Sequence, residues 1–349
     1  MFRLGQFTPQ LKLLFHTAYI QRWLKGENVY PILVEFDLSN ACNHKCNFCN
    51  FSYLTDKSVL DKDVACKTIA VLAKNGVKAI NWTGGGEPLI NTEFGDIFSW
   101  TTRRGIEQGL FTNGALIRED DIEGLLATQT WIRFSIDAST KETYAKIRGV
   151  DEFNKVVSIV KRMVEVRNEY EYNTQIGIGF VITPDNYREI GRFADLIEET
   201  GVDYGQYKPR IGNELELSEA MWWECNVKPL LEEVFKSSTK AVINLYKFND
   251  LSENQFDKPY PICYGHVFCP CIGADGKVWV CSQLRGYGKY CMGNIYKESF
   301  DSIWKGQWRR DAIARIDVNK CPPCCKNNEI NKILYHIKHP ARNTHYNFL

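Results

Sequence analysis

Ile32-Leu-Val-Glu-Phe-Asp-Leu38-Ser-Asn-Ala-Cys42-Asn-His-Lys-Cys46-Asn-Phe-Cys49 is the stretch whose reading decides the rest. Its first seven residues form a β-rich, largely apolar run, which reads as a buried strand. The loop after that strand carries three cysteines within eight residues. Three thiolates on one loop reach three irons of a cubane and leave the fourth iron open to a small molecule. A structural zinc site instead takes four ligands in a closed tetrahedron. His44 lies inside the loop and not at the usual paired spacing, which weighs against zinc.

Working outward, the same strand rhythm repeats. Further strands are predicted at Ala79–Trp82, Gly109–Thr112, Trp131–Ile136, Gln175–Ile182 and Tyr204–Lys208. Helical patterns fall at about 58–75, 93–105, 119–127, 153–169, 187–200 and 218–239. Six βα units in series imply a parallel sheet with right-handed crossovers, either an open doubly wound sheet or a partial barrel. Ahead of them, Thr8-Pro9 followed by Leu11, Leu14, Phe15, Ala18, Tyr19 and Trp23 reads as one capped amphipathic helix ended by Gly26. Beyond them, Asp250 to Pro261 is polar and suits a linker. Asp275-Gly276 between Phe268–Ile272 and Val278–Val280 is a hairpin signature. A helix is expected over Phe300–Ile316, then Cys321-Pro-Pro-Cys324-Cys325.

Composition narrows the class. The chain has 349 residues, 43 Lys+Arg against 42 Asp+Glu, and 44% hydrophobic residues. That balance gives no reason to expect a nucleic-acid or membrane-surface partner. Charged and polar residues interrupt the N-terminal apolar positions, and no apolar run reaches about 18 residues, so a cytoplasmic location is expected. Thirteen cysteines in such a chain point to metal or catalysis and not to disulfides. Cys66 and Cys225 stand alone and are expected to be small buried hydrophobes.

The Cx3Cx2C loop, with Phe48 before its last cysteine, resembles the signature of the radical S-adenosylmethionine (SAM) superfamily. Thr83-Gly84-Gly85-Gly86-Glu87-Pro88, directly after the second strand, is similar to that family's glycine-rich loop. There, the resemblance implies, backbone and carboxylate meet the amino group of the methionine moiety. Consecutive glycines also let backbone approach a ligand closely at the C-terminal edge of a parallel sheet. Weaker matches follow at strand ends: Thr112-Asn113-Gly114, Ser135-Ile-Asp137 and Val181-Ile-Thr183. The resemblance covers roughly residues 30–240 and implies a partial (β/α)6 TIM barrel. It implies a 4Fe–4S cluster on Cys42, Cys46 and Cys49. It implies SAM bound through Phe48, Gly84, Gly85, Gly86, Glu87, Pro88, Asn113, Ser135, Asp137 and Thr183.

Cys263, Gly276, Cys281 and Cys321-x2-Cys324 resemble the twitch form of the SPASM/twitch accessory domain. Gly293-Asn294-Ile295 and Phe300-x3-Trp304 match its helical part. This implies one auxiliary 4Fe–4S cluster on Cys263, Cys281, Cys321 and Cys324. Cys269, Cys271, Cys291 and Cys325 are surplus. They read as inert thiols, ligands of a second auxiliary cluster, or a hydrogen-donating thiol, and Cys269 is an alternative to Cys263.

The domain reading is therefore a helical extension over 1–30, the partial barrel over 31–250, and a cysteine-rich twitch-like domain of hairpin plus helix with its tail over 251–349. The implied activity is 5′-deoxyadenosyl radical formation and hydrogen abstraction. The expected substrate is a polyhydroxylated small molecule (a sugar, aminocyclitol or nucleotide-linked metabolite), processed by a dehydrogenase or epimerase. A peptide maturase is the alternative, and a flavodoxin or ferredoxin is the expected electron donor. Lys208 and Arg210, at the end of the sixth strand, are candidates to orient a hydroxyl or remove its proton. His44 is expected to face solvent or to stand behind the ligands. His336, His339 and His345 are expected at the surface, and Trp222-Trp223 in the core.

Overall fold

The computed structural model describes residues 9–210, 221–243, 258–322 and 325–341. Glu214, Glu216, Cys324 and His345 lie outside the described residues, as does most of the expected linker. Seven strands run parallel: β1 (Leu33–Asp37), β2 (Ala79–Thr83), β3 (Glu107–Thr112), β4 (Trp131–Ser135), β5 (Gln175–Ile182), β6 (Tyr204–Pro209) and β7 (Ala241–Ile243). Three short strands follow, β8 (Cys271–Ile272), β9 (Lys277–Trp279) and β10 (Cys291–Asn294). All join one sheet in the order β10-β9-β8-β1-β2-β3-β4-β5-β6-β7.

The helices are α1 (Pro9–Leu14), α2 (Thr17–Leu24), α3 (Lys62–Lys74), α4 (Phe94–Arg103), α5 (Ile122–Thr128), α6 (Lys141–Arg148), α7 (Phe153–Glu169), α8 (Ile190–Thr200), α9 (Lys228–Ser237), α10 (Phe300–Lys305), α11 (Gln307–Ala314) and α12 (Asn328–Lys338). Strand alternation explains the layers. Val34, Phe36, Ile80, Trp82, Ile132, Phe134, Ile178 and Phe180 are fully buried beneath the helices. Alternate residues point the other way. Lys208 of β6 has its ammonium 5.5 Å from the Phe111 ring of β3, two strands that are not neighbours in the sheet. The sheet therefore curls on itself, as in a partial barrel.

The C-terminal hairpin extends this sheet. Glu35 and Phe36 of β1 pair in parallel with Cys271 and Ile272, so the change of composition near residue 250 is not a break in hydrogen bonding. A second, smaller core gathers Leu13, Ile20, Trp23, Tyr264, Phe268 and Leu334, joining the N-terminal helices to the C-terminal region.

Several local expectations change. The single N-terminal helix is two, separated at Phe15-His16. The helix expected at Phe300–Ile316 breaks at Gly306, whose backbone is extended (φ −70°, ψ 163°). Helix α6 and strand β7 had no clear periodic signal. Cys225 is exposed and Cys66 is half-buried, so neither is a core thiol. Trp223 is buried and Trp222 packs against the main core.

Candidate active site at the barrel mouth

The cysteine loop leaves β1 and is fastened at once by the glycine loop. Gly86 N–H donates to Ser39 O at 3.0 Å and Glu87 N–H to Ala41 O at 2.8 Å. A Cβ on Gly86 would fall 1.9 Å from Ala41 O, one on Gly85 2.4 Å from Asn40 Oδ1, and one on Gly84 2.7 Å from Gly86 O. The glycines thus serve close approach of the chain to itself, a reason that sequence reading did not supply.

Glu87 is 3% exposed and its carboxylate is bound internally. Thr112 Oγ1 donates to Oε1 at 2.6 Å, Asn113 N–H to Oε2 at 2.8 Å and Leu89 N–H to Oε1 at 3.3 Å. Burial pushes its pKa up, and these bonds draw it back. The carboxylate braces the end of β2 to the end of β3. Pro88 opens a short 3-10 turn behind it. Asn113 completes the brace, its Nδ2 donating to Asn43 Oδ1 at 2.7 Å inside the cysteine loop.

Cys42 and Cys49 are exposed and Cys46 is half-buried. The three are close enough for charge on one thiol to act on the next, and burial raises the pKa of Cys42 and Cys46. Arg148 is the site residue that sequence reasoning missed. Its Nη1 lies 3.2 Å from Cys46 Sγ and 3.4 Å from Asp137 Oδ2, and its Nη2 meets Ser135 O. The end of α6 is pressed on the loop: Lys45 N–H donates to Arg148 O and Asn47 N–H to Ile147 O, each at 3.0 Å. Gly149 (φ +70°) permits this, since a Cβ there would lie 2.8 Å from Lys45 O. The available signal was an Arg-Gly pair closing a helix just after the fourth strand.

Asp137 sits at φ +61° and accepts from Val181 N–H at 2.6 Å, tying β4 to β5. Thr183 N–H and Oγ1 both donate to Asn186 Oδ1. Phe48 is half-buried against the main core. His44 does not face solvent: it is 6% exposed, set edge-on to Tyr144 at 6.0 Å. Burial, and then Arg148, lower its pKa to about 4. Inside the barrel the Arg133 guanidinium lies 4.2 Å from the Phe111 ring and contacts Gln206 Oε1. Lys208 shares that ring, whereas Arg210 is exposed at the strand end.

A second group of thiols gathers under the hairpin. Burial, and then Cys325, push the pKa of Cys263 up to about 11 and that of Cys321 up to about 12, and shift Cys281 the same way. The structure therefore brings Cys325, one of the surplus residues, to the expected ligands Cys263, Cys281 and Cys321. Cys269 and Cys271 stand beside them toward the barrel. Lys326 Nζ is 3.0 Å from Cys269 Sγ and 2.6 Å from Glu35 Oε1, while Arg285 meets Asp37 and lies 3.9 Å from Cys271 Sγ. Cys291 is half-buried, its thiol toward Gly293 O at 3.4 Å. In donor chemistry, soft sulfur suits iron–sulfur clusters and not a hard cation, although among the described residues no three donors are gathered tightly enough to hold a metal ion. The Arg148 N–H on Cys46 Sγ suits a cluster ligand.

A curled parallel sheet with a thiol loop and a glycine loop clamped together at its C-terminal edge defines an iron–sulfur radical enzyme. Residues 37–197 match the radical SAM superfamily, and residues 263–327 match SPASM, an iron–sulfur cluster-binding domain. The chain carries a radical SAM domain followed by a C-terminal SPASM domain, and these domains imply a 4Fe–4S cluster, SAM and auxiliary iron–sulfur binding.

A probable GTP 3′,8-cyclase of Saccharolobus solfataricus is 29% identical over 168 residues, 48% of this chain and 53% of the relative. The chain thus spans about half the length of such curated relatives. The tungsten-containing aldehyde ferredoxin oxidoreductase cofactor-modifying protein of Pyrococcus furiosus is 22% identical, covering 82% of this chain and 85% of its own length. Among solved structures, Streptococcus suis SuiB bound to precursor peptide SuiA superposes with TM-score 0.66 at 17% identity, covering 89% of this chain and 73% of SuiB. AnSMEcpe with bound AdoMet gives 0.61 at 18%, covering 81% and 83%. These likenesses show a shared fold. Among the described residues, no helix is long and apolar enough to cross a membrane.

Proposed function

We propose that this enzyme abstracts hydrogen from a polyhydroxylated small molecule, acting as a dehydrogenase or epimerase. The observation that carries the reading is the Lys208–Phe111–Arg133 grouping inside the barrel, where two cations share one ring. Cys42, Cys46 and Cys49 would hold the cluster, which with SAM would supply the radical chemistry for the hydrogen abstraction.

The chain's own residues supply placement. The glycine loop and Asn113 hold the cysteine loop rigid. Arg148 and Asp137 hold Cys46 against β4 and β5. Lys208 Nζ orients a substrate hydroxyl and takes part in moving its proton, with Arg210 at the rim. A flavodoxin or ferredoxin is the proposed electron donor. In this reading Cys263, Cys281 and Cys321, with Cys324 or Cys325, hold one auxiliary cluster.

The name of one relative lends support: a probable GTP 3′,8-cyclase acts on a nucleotide. A second reading, peptide maturation, draws on the fold shared with SuiB, solved with a precursor peptide. The test offers the reduced, anaerobic enzyme with SAM a nucleotide and polyol panel beside short peptides, and measures 5′-deoxyadenosine. Stimulation by the hydroxylated compounds is expected. Stimulation by peptides alone refutes the small-molecule reading.

A further inference from the structure

The hairpin and the chain following the cysteine loop enclose a small open cleft of about 220 Å³. One wall is Asn40, Tyr53, Thr55 and Asp56, and the other is Trp279 with Arg285. The inner wall backs on the glycine loop, since Asn40 Oδ1 and Leu54 are the atoms a Gly85 Cβ would strike. The cleft thus lies beside the radical site and outside the barrel.

Its polar groups are unequally satisfied. Asp56 accepts from Ser58 N–H and from Asn40 Nδ2, each at 2.8 Å; burial raises its pKa, and these contacts with Ser58 Oγ together outweigh it and hold the carboxyl below the usual carboxylate range. It forms no ion pair among the described residues. The two cations at the cleft have closer partners: Lys277 Nζ is 2.7 Å from Asp275 and acts on Asp56 only through space, and Arg285 is paired with Asp37. Trp279 Nε1–H and Thr55 Oγ1 meet no hydrogen-bond partner among the described residues. Asn40, 5% exposed, has its Oδ1 unpartnered, and Arg285, 2% exposed, has its Nε unpartnered. Tyr53, 47% exposed, offers a ring face at the rim.

We propose that this cleft is a subsite for the ammonium group of a ligand, with Asp56 as its counter-charge and with Trp279 Nε1–H and Thr55 Oγ1 bonding the adjacent oxygens. An ionised carboxylate bonded to neutral groups is the component that a cation completes. The ring of Tyr53 adds a face that favours both cations and sugar rings. The ammonium comes from an amino sugar or from a lysine side chain, and the two sources are separable. The proposal rests on the substrate reading above for its link to turnover, but binding is measured without reductant, so it fails or stands apart from the radical chemistry.

The experiment titrates reconstituted full-length protein, by calorimetry or ligand-observed NMR, with glucosamine, with glucose as its neutral match, and with Nα-acetyl-lysine amide. An ammonium compound is expected to bind more tightly than glucose. Asp56→Asn keeps the shape and the Ser58 bond and is expected to weaken that binding about tenfold, the loss of one partly exposed charge-assisted bond. Trp279→Phe keeps the ring and weakens it less. Binding of glucosamine or of the lysine compound, lost in Asp56→Asn, identifies the source and supports the proposal. Absence of binding by both amines, equal binding of glucose, or an unchanged affinity in Asp56→Asn overturns it.

Discussion

Gly86→Ala tests the reason for the glycine triplet. The added Cβ would sit 1.9 Å from Ala41 O and 2.4 Å from Ala41 C, both backbone atoms. Ordinary contact begins at 3.4 Å, so the two loops must part by about 1.5 Å, the difference between those distances. The bonds from Gly86 N–H to Ser39 O and from Glu87 N–H to Ala41 O cannot survive that opening. Overpacking costs about 1–3 kcal/mol and two lost backbone bonds about 1 kcal/mol each. The sum, roughly 3–5 kcal/mol, leaves a typical domain folded. What suffers is registry: a shift of about 1 Å between groups that must act together costs on the order of 100-fold in rate.

The assay is anaerobic reconstitution of Gly86→Ala, followed by iron content, SAM affinity by calorimetry, and 5′-deoxyadenosine formation. Weakened SAM binding and a lowered Tm are expected together. Gly95→Ala is the control, with nothing within 4 Å of its Cβ in α4, and should leave all readings intact. Gly85→Ala should fall between, because Asn40 Oδ1 is a side-chain atom and yields. Native SAM affinity and Tm in Gly86→Ala would show that the loops are not clamped as described.

Arg148→Met leaves Asp137 buried without its cation and removes the donor at Cys46 Sγ. Breaking such a pair costs about 3–5 kcal/mol, to be read as a lower urea midpoint and reduced iron at the first cluster; an unchanged midpoint counts against the pairing. Cys325→Ala is expected to lower iron by about four per chain, whereas Cys225→Ala, at an exposed thiol, should leave the iron count as it was. His266 is fully buried and burial holds its pKa to about 3, so it stays neutral when folded and gains a proton when unfolded below about 6.5. Its contribution to stability is therefore present above about pH 6.5 and is lost as pH falls toward 3, about 2 kcal/mol by pH 5. His266→Gln should flatten the dependence of Tm on pH over that window, and an equal slope in both proteins would refute the assignment.

The parallel rhythm was legible because each strand is a short apolar run ended by a turn residue, and β1 to β6 lie within one or two residues of their expected bounds. The cysteine loop and the glycine loop were legible for the same local reason: their chemistry is written in consecutive residues. Arg148 was not, since its meaning depends on a helix of weak periodicity folding back 102 positions onto Cys46. For His44 the sequence left two places open, and only the packing of Tyr144 over it decides for the buried one behind the ligands. Nor does any window of sequence show that Cys325 faces Cys263, Cys281 and Cys321. That proximity is a product of the turn before α12.

The same limit applies with more force to β1. Glu35 and Asp37 alternate with Val34 and Phe36, a pattern that in a half-exposed strand would put two carboxylates in water. Here Asp37 is wholly buried and Glu35 nearly so, because Lys326 and Arg285 arrive from the far end of the chain. A buried carboxylate is tolerable when paired and costly when alone. The parallel bonding of β8 on β1 brings the cations within reach, and the cations make the burial of β1 tolerable. Each cation also stands beside a thiol of the hairpin strand region, Cys269 or Cys271, so the groups that neutralise the barrel's first strand adjoin the auxiliary sulfur site. The carboxylates of the barrel's first strand and the cations of the cysteine-rich region thus satisfy each other, and this pairing ties the two regions together.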